Sequence, residues 1–243
     1  MLRRITGDGT PYKFPLREIN FPRQWPAEIP FEENDFARID NLKDGIFYAL
    51  PRLVYHVDEP AVAALTQYYR RSIPTGSDIL DICSSWVSHY PMEFPTVMGR
   101  RSGTGMNHVE LALNDQLTKG DFQVLDLNQT PQLPYPNESF DVVTCAMSID
   151  YLIHPLQVLR ECHRVLRPGG KVIISFSNRC FALKAIRMWR TSRDNFHCEL
   201  VYGYFKYAGG FTEPKAFEIT AQLPGHQRYQ DPMFVVEAAR AAE

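Results

Sequence analysis

The run Ile79-Leu80-Asp81-Ile82-Cys83-Ser84-Ser85-Trp86 constrains the fold more tightly than any other segment. An apolar run carries one acid near its end and breaks directly into a loop of small residues. That pattern marks a strand of an α/β sheet stopping at its carboxyl end to hold a ligand. The chain that follows keeps the same rhythm. Residues 107–117 read as a helix, with Val109, Leu111, Leu113 and Leu117 apolar. Phe122–Leu127 reads as a strand, and Phe140–Met147 as another, apolar almost throughout as in a strand covered on both faces. Pro155 opens a helix with Leu156, Leu159, Cys162, Val165 and Leu166 inward, and Pro168-Gly169-Gly170 stops it. Lys171–Phe176 is then a strand, Phe181–Arg190 a helix, and two late strands fall near Glu199–Phe205 and Met233–Ala238. Such alternation implies a mainly parallel sheet with helices on both faces.

Upstream of the first strand the pattern differs. Residues 1–45 carry Pro11, Pro15, Pro22, Pro26 and Pro30, which interrupt any helix, and six aromatic side chains, too many for plain disorder (Tyr12, Phe14, Phe21, Trp25, Phe31, Phe36). They read as an extended N-terminal arm laid over the domain or over a second subunit, which makes the arm a candidate homodimer contact. Residues 46–75 read as a helical cap: a short helix broken at Pro51, then a helix with Asp58 as N-cap and Pro60 in its first turn, ending near Arg71. Residues 76–243 form the main domain.

Composition excludes several functions. The chain has 243 residues, 44% of them hydrophobic, enough for one large packed domain. A net charge of -2 without blocks of like charge argues against nucleic acid or a membrane surface as partner. Lys184, Arg187, Arg190 and Arg193 recur at helical spacing and read as one solvated helix face. The five cysteines include no C-x-x-C pair, which favours reduced thiols and a cytoplasmic setting over disulfides or zinc. No metal-ligand cluster is visible in the sequence, and no apolar run reaches membrane-spanning length.

Three further segments occur in order: Asp126-Leu127 at a strand end, Leu133-Pro134-Tyr135-Pro136 leading to Ser139-Phe140-Asp141-Val142-Val143, and Leu159–Gly170 with Arg164-Val165-Leu166-Arg167-Pro168-Gly169-Gly170. Together they resemble the motifs of class I S-adenosylmethionine (SAM)-dependent methyltransferases. Ile79–Trp86 resembles that family's first motif, with Cys83 and Ser85 where glycines usually stand. The Cys83-Ser84-Ser85-Trp86 loop, Gly105-Met106-Asn107 and Ser175–Phe181 are similar to a type 11-like subgroup. The resemblance implies an α/β, Rossmann-like fold with a mainly parallel seven-stranded sheet. It also implies SAM as cofactor and S-adenosylhomocysteine (SAH) as product.

By the same resemblance Asp81, Cys83, Ser84 and Ser85 would hold the methionine end of SAM, and Met106 and Asn107 would meet the ribose. Asn107 reads equally as a helix cap, and Glu110, one turn on, as a surface residue. Asp126 and Leu127 would take the adenine, and Ala146 and Met147 would offer backbone carbonyls to the SAM amino group. Pocket and catalytic positions follow the Phe140–Met147 strand: Ser148, Asp150, Tyr151 and His154, the last also readable as the residue leading into a helix. His89 admits a surface reading as well. Tyr48, Arg52 and His56 are spaced at four, so one helical face would present all three to the site, with His56 a further catalytic candidate; the segment reads equally as an amphipathic helix covering the core. Asn178 and Arg179 leave the Lys171–Phe176 strand on the same rim, where Arg179 would anchor an acidic substrate group. Lys206–Phe211 is the expected opposite wall.

The expected activity is metal-independent transfer of a methyl group, chiefly to oxygen, on a small and partly apolar molecule. Two alternatives stand beside it. One is a methyltransferase-fold enzyme of non-methylating chemistry, such as a pericyclic cyclisation, with SAM structural or absent. The other is a non-catalytic partner protein.

Overall fold

The computed structural model describes residues 12–21, 25–223 and 230–242; Pro11 and Pro22 of the arm lie outside the described residues. Eight strands form one sheet in the order β1-β7-β8-β6-β5-β2-β3-β4. The strands are β1 (Arg17–Ile19), β2 (Ile79–Ile82), β3 (Arg101–Gly105), β4 (Phe122–Val124), β5 (Phe140–Ala146), β6 (Leu166–Phe176), β7 (Lys215–Glu218) and β8 (Phe234–Ala239). The five strands from β6 to β4 run parallel, and β8, β7 and β1 add antiparallel pairs at one side. The eighth strand, one more than the sequence implies, is β1: the arm contributes it by pairing Arg17–Ile19 with Ala216–Glu218 of β7.

Apolar pairs on the central strands feed two cores. Leu80, Val143, Ile174 and Val236 face α5 (Pro155–Val165) and α7 (Asp194–Ala208). Their sequence neighbours Ile79, Val142, Ile173 and Val235 face α2 (Glu59–Ser72), because successive strand residues point to opposite faces. The α2 start follows its sequence signal: Asp58 accepts from the Ala61 N–H at 3.0 Å, and Pro60 sits in the first turn.

Several local expectations are corrected. Glu199–Phe205 is not a strand but lies within α7. Its aromatic and apolar residues suggest a strand, yet His197, Cys198, Val201, Tyr204 and Phe205 are buried at helical spacing. Only Arg187–Arg190 of the expected 181–190 helix is helical (α6), and Lys184 is fully buried rather than solvated. The cap helix stops early: α1 covers Asp44–Phe47, and residues 48–57 cross the site without regular structure. The remaining short helices are α3 (Phe94–Val97) and α4 (His108–Leu113). No helix among the described residues is long and apolar enough to cross a membrane.

Candidate active site

Strand β2 pairs with β3 on one side and β5 on the other, so connections leave it in both directions. A crevice opens at the carboxyl ends of strands at such a switch point. Here it is a solvent-connected cleft of about 1110 Å³, bounded by the β2 loop, the ends of β3, β4 and β5, and the cap.

The loop after β2 keeps its shape without glycine. Cys83 itself takes the left-handed conformation, φ 54°. The Ser84 N–H donates to the Thr104 carbonyl at 2.7 Å. The room comes from the neighbouring strand, where a Cβ on Gly105 would collide with the Ser84 carbonyl oxygen. Asn114 Nδ2 reaches the Ser85 carbonyl and Ser88 Oγ, each at 2.9 Å, and Gln116 Oε1 accepts from the Ser88 N–H. Below the loop Asp81 is buried. It accepts from Thr144 Oγ1 at 2.8 Å, with Ser84 and Ser88 hydroxyls as further donors. Burial still outweighs these bonds and pushes its pKa up to about 6.

The sequence reading of Glu110 as a surface residue is overturned: it is buried and lines the cleft. Its Oε2 accepts from Ser85 Oγ at 2.7 Å, and Oε1 from the Arg52 N–H at 2.6 Å. One carboxylate thus ties the β2 loop to the cap. Asn107 does not face the cleft. Its Oδ1 caps α4 through the Val109 and Glu110 N–H groups, and its Nδ2 donates to the Tyr48 and Ala49 carbonyls at 2.9 and 3.2 Å. The one sequence signal for Glu110 was its place one turn inside a helix that starts at the strand end.

At the β4 end Asp126 lines the cleft, accepting from the Asn128 N–H and from Gln129 Nε2. Leu125 and Leu127 stand beside it. Asn128 also donates to Asp44, a buried cleft carboxylate gripped by Arg38 Nη1 at 2.7 Å and Lys184 Nζ at 3.0 Å. These opposite charges neutralise each other away from water and fix the start of the cap to the domain.

The far wall is aromatic. Tyr48, Tyr151, His56 and Phe181 line it. The Tyr151 hydroxyl accepts from the Phe181 N–H at 2.8 Å, and burial raises the pKa values of Tyr48 and Tyr151. Tyr48, Arg52 and His56 do meet at the cleft as expected, but through an irregular crossing rather than one helical face. His89, also read as a surface residue, is buried at the cleft with Nδ1 unpartnered, and burial drives its pKa down to about 4. Its signal was missing because the loop takes φ 59° there, a turn no composition rule gives.

Cys83, Ser84, Ser85, Met106, Ala146, Met147 and Ser148 line the cleft together with Asp81, Asp126 and Leu127. Besides Asn107, four anticipated positions do not. Asp150 turns into the interior, buried, with Oδ2 unpartnered and its pKa pushed up to about 8. His154 is exposed and only leads into α5. Arg179 pairs with Asp231 at 2.6 Å, and Asn178 with Asp194 at 3.2 Å. The segment 206–211 is no wall of the cleft either; Phe211 packs on His163 and Phe205.

This topology, with its cleft at the β2 switch point, is the class I methyltransferase fold. A methyltransferase-domain family model matches residues 102–174, less than half of the chain. Demethylmenaquinone methyltransferase of Listeria monocytogenes serotype 4a (strain HCC23) is 30% identical over 105 residues, 41% of this chain and 44% of that enzyme. The chain thus spans less than half the length of this curated relative. Among solved structures, the (4+2)-cyclase SpnF aligns with a TM-score of 0.54 at 16% identity, covering 74% of this chain and 82% of that one. Phosphoethanolamine N-methyltransferase 2 of Haemonchus contortus, in complex with SAM, aligns at 0.51 and 14% identity, covering 74% and 52%.

Proposed function

We propose that the protein transfers the methyl group of SAM to a small, partly apolar acceptor, chiefly at oxygen and without a metal. The observation that carries this reading is the donor and acceptor set of the cleft. Two carboxylates, Glu110 in the first turn of α4 beyond β3 and Asp126 just beyond β4, line the cleft, with the apolar Leu125, Leu127 and Met106 also lining it. That set suits a nucleoside carrying hydroxyls, an exocyclic amine and a flat base. The Cys83–Trp86 loop, buttressed by Asp81 and Asn114, forms the adjoining wall for an amino-acid tail.

SAM would supply an electrophilic methyl on a sulfonium, so the protein's task is mainly alignment. Glu110 would accept hydroxyl protons in hydrogen bonds, Asp126 would accept from the base amine, and the loop would seat the tail. Tyr48 and Tyr151, whose hydroxyl protons are firmly held, would donate to the acceptor and orient it. The cap between Asp44 and His56 would exclude water. Titration of SAH by calorimetry tests the reading, followed by methyl transfer from labelled SAM to a panel of phenols, enols and carboxylic acids. Saturable SAH binding with transfer to a panel member supports it; no saturable binding at millimolar SAH contradicts it.

One observation favours a second reading, non-methylating chemistry. Burial lowers the pKa of both His56 and His89. The cleft is therefore poor in groups that take a proton at neutral pH, as suits a rearrangement that needs only shape and hydrogen-bond donors. SAH binding without transfer across the panel would favour it.

A further inference from the structure

Among the described residues lining the cleft, Arg52 is the only lysine or arginine. Its guanidinium carbon lies 4.2 Å from the Phe47 ring centre, 5.1 Å from Phe181 and 5.8 Å from Tyr48. Nη2 donates to the Phe47 carbonyl at 3.1 Å. Nη1 is buried and has no partner among the described residues. A buried donor without an acceptor is costly, the more so when charged. The neighbouring carboxylates are already committed. Asp44 is held by Arg38 and Lys184, and Glu110 takes the backbone N–H of Arg52 rather than its side chain.

Resting on the methyl-transfer reading, we propose that Arg52 Nη1 binds an anionic oxygen of the acceptor. The acceptor is then a flat, apolar acid or enolate seated against Phe181 and Tyr48. A planar guanidinium stacked between rings and presenting one free N–H suits an anionic oxygen carried on a planar skeleton. An acceptor that arrives ionised also needs no general base, in keeping with a cleft whose histidines stay neutral. The cofactor's own carboxylate is the other source of such an oxygen. The guanidinium, however, stacks on Phe47 and Phe181, beside Tyr151, while Ser85 of the β2 loop reaches Arg52 only at its backbone, through Glu110.

The test is calorimetric titration of benzoate and of its neutral analogue benzamide into protein saturated with SAH. Benzoate is expected to bind at least about tenfold more tightly, a difference of about 1.4 kcal/mol. Arg52→Gln is expected to erase that preference while SAH affinity stays within about twofold of wild type, since the backbone bond to Glu110 survives the change. Thermal unfolding of the variant checks that it is folded, and Arg52→Lys, which keeps the charge, should keep part of the preference. Equal affinity for the two probes, no saturable benzoate binding at millimolar concentration, or a preference that survives in Arg52→Gln overturns the proposal. A marked loss of SAH affinity in Arg52→Gln assigns the guanidinium to the cofactor carboxylate and overturns it too. Failure of SAH to bind the wild type overturns the parent reading instead, and the benzoate comparison is then read on the ligand-free protein.

Discussion

At position 83 a cysteine carries a left-handed backbone, where the resembled motif would place glycine, and the room for the loop is found one strand away, at Gly105. A side chain in that conformation costs about 1–2 kcal/mol, so the loop depends on its surroundings to hold it. Gly105→Ala pushes on the Ser84 carbonyl and should cost about 1–3 kcal/mol of stability together with SAH affinity; denaturant unfolding and calorimetry check both. Glu110 is the second such case. Glu110→Gln keeps the shape but removes the charge that faces Ser85 and the cap, and SAH affinity is expected to fall about tenfold or more, with little change in melting temperature. Unchanged affinity would remove Glu110 from the ligand site. Asp150 makes a prediction of opposite kind. Its folded pKa, about 8, lies above the ordinary 3.8, so the folded state binds the extra proton between those values. Stability from this group is therefore full below about pH 4 and is lost as pH rises through about 8. Asp150→Asn abolishes the titration. The unfolding free energy of the variant relative to wild type should rise steadily from pH 5 to pH 8, and a pH-independent difference would show that Asp150 is not held as the acid.

Among the elements, the cap and the arm are where sequence and structure part most. Tyr48, Arg52 and His56 were legible as site residues, yet the helix that would have justified them ends at Phe47. The cap is held instead by side chains from elsewhere: Asn107 and Glu110 of the α4 start, Trp86 Nε1 on the Val54 carbonyl, and the Arg38–Asp44–Lys184 charges. Such long-range bonds leave no local periodicity to read. Asn107→Ala removes an N-cap and two cap bonds, so amide exchange across residues 46–56 should accelerate and stability fall by about 1 kcal/mol. Exchange mass spectrometry that shows no change there would contradict the latch. The arm was read as extended and aromatic, and it packs Trp25, Phe31 and Phe36 on α7, around Tyr202, Tyr204 and Tyr207. A Cβ on Gly203 would meet the Trp25 ring at 2.6 Å, so Gly203→Ala should loosen the arm, seen as a shift in tryptophan emission and a lowered melting temperature. The strand expected at Glu199–Phe205 failed because aromatic content outweighed the weaker helical spacing of the same residues.

Over the whole molecule, β2, β5 and the Lys171–Phe176 part of β6 were the most legible, since each holds a nearly continuous apolar run. The strands β1, β3 and β7 were not assigned, being short or polar: Arg101–Gly105 is buried yet carries two glycines and no large apolar side chain. The cleft was legible as a place, at the end of Ile79–Ile82, and as ten cofactor positions of which all but Asn107 line it. Its far rim was not, because Asp150, His154, Asn178 and Arg179 follow strand ends where the chain turns away, and sequence spacing carries no direction there. The proposed function rests on binding of the cofactor in this cleft. Calorimetric titration of SAH into the wild type, Asp126→Asn and Glu110→Gln tests this most directly. Saturable binding by the wild type, weakened about tenfold or more by each substitution while both variants stay folded, is the predicted result. Absence of saturable binding by the wild type, or binding indifferent to both carboxylates, would contradict it.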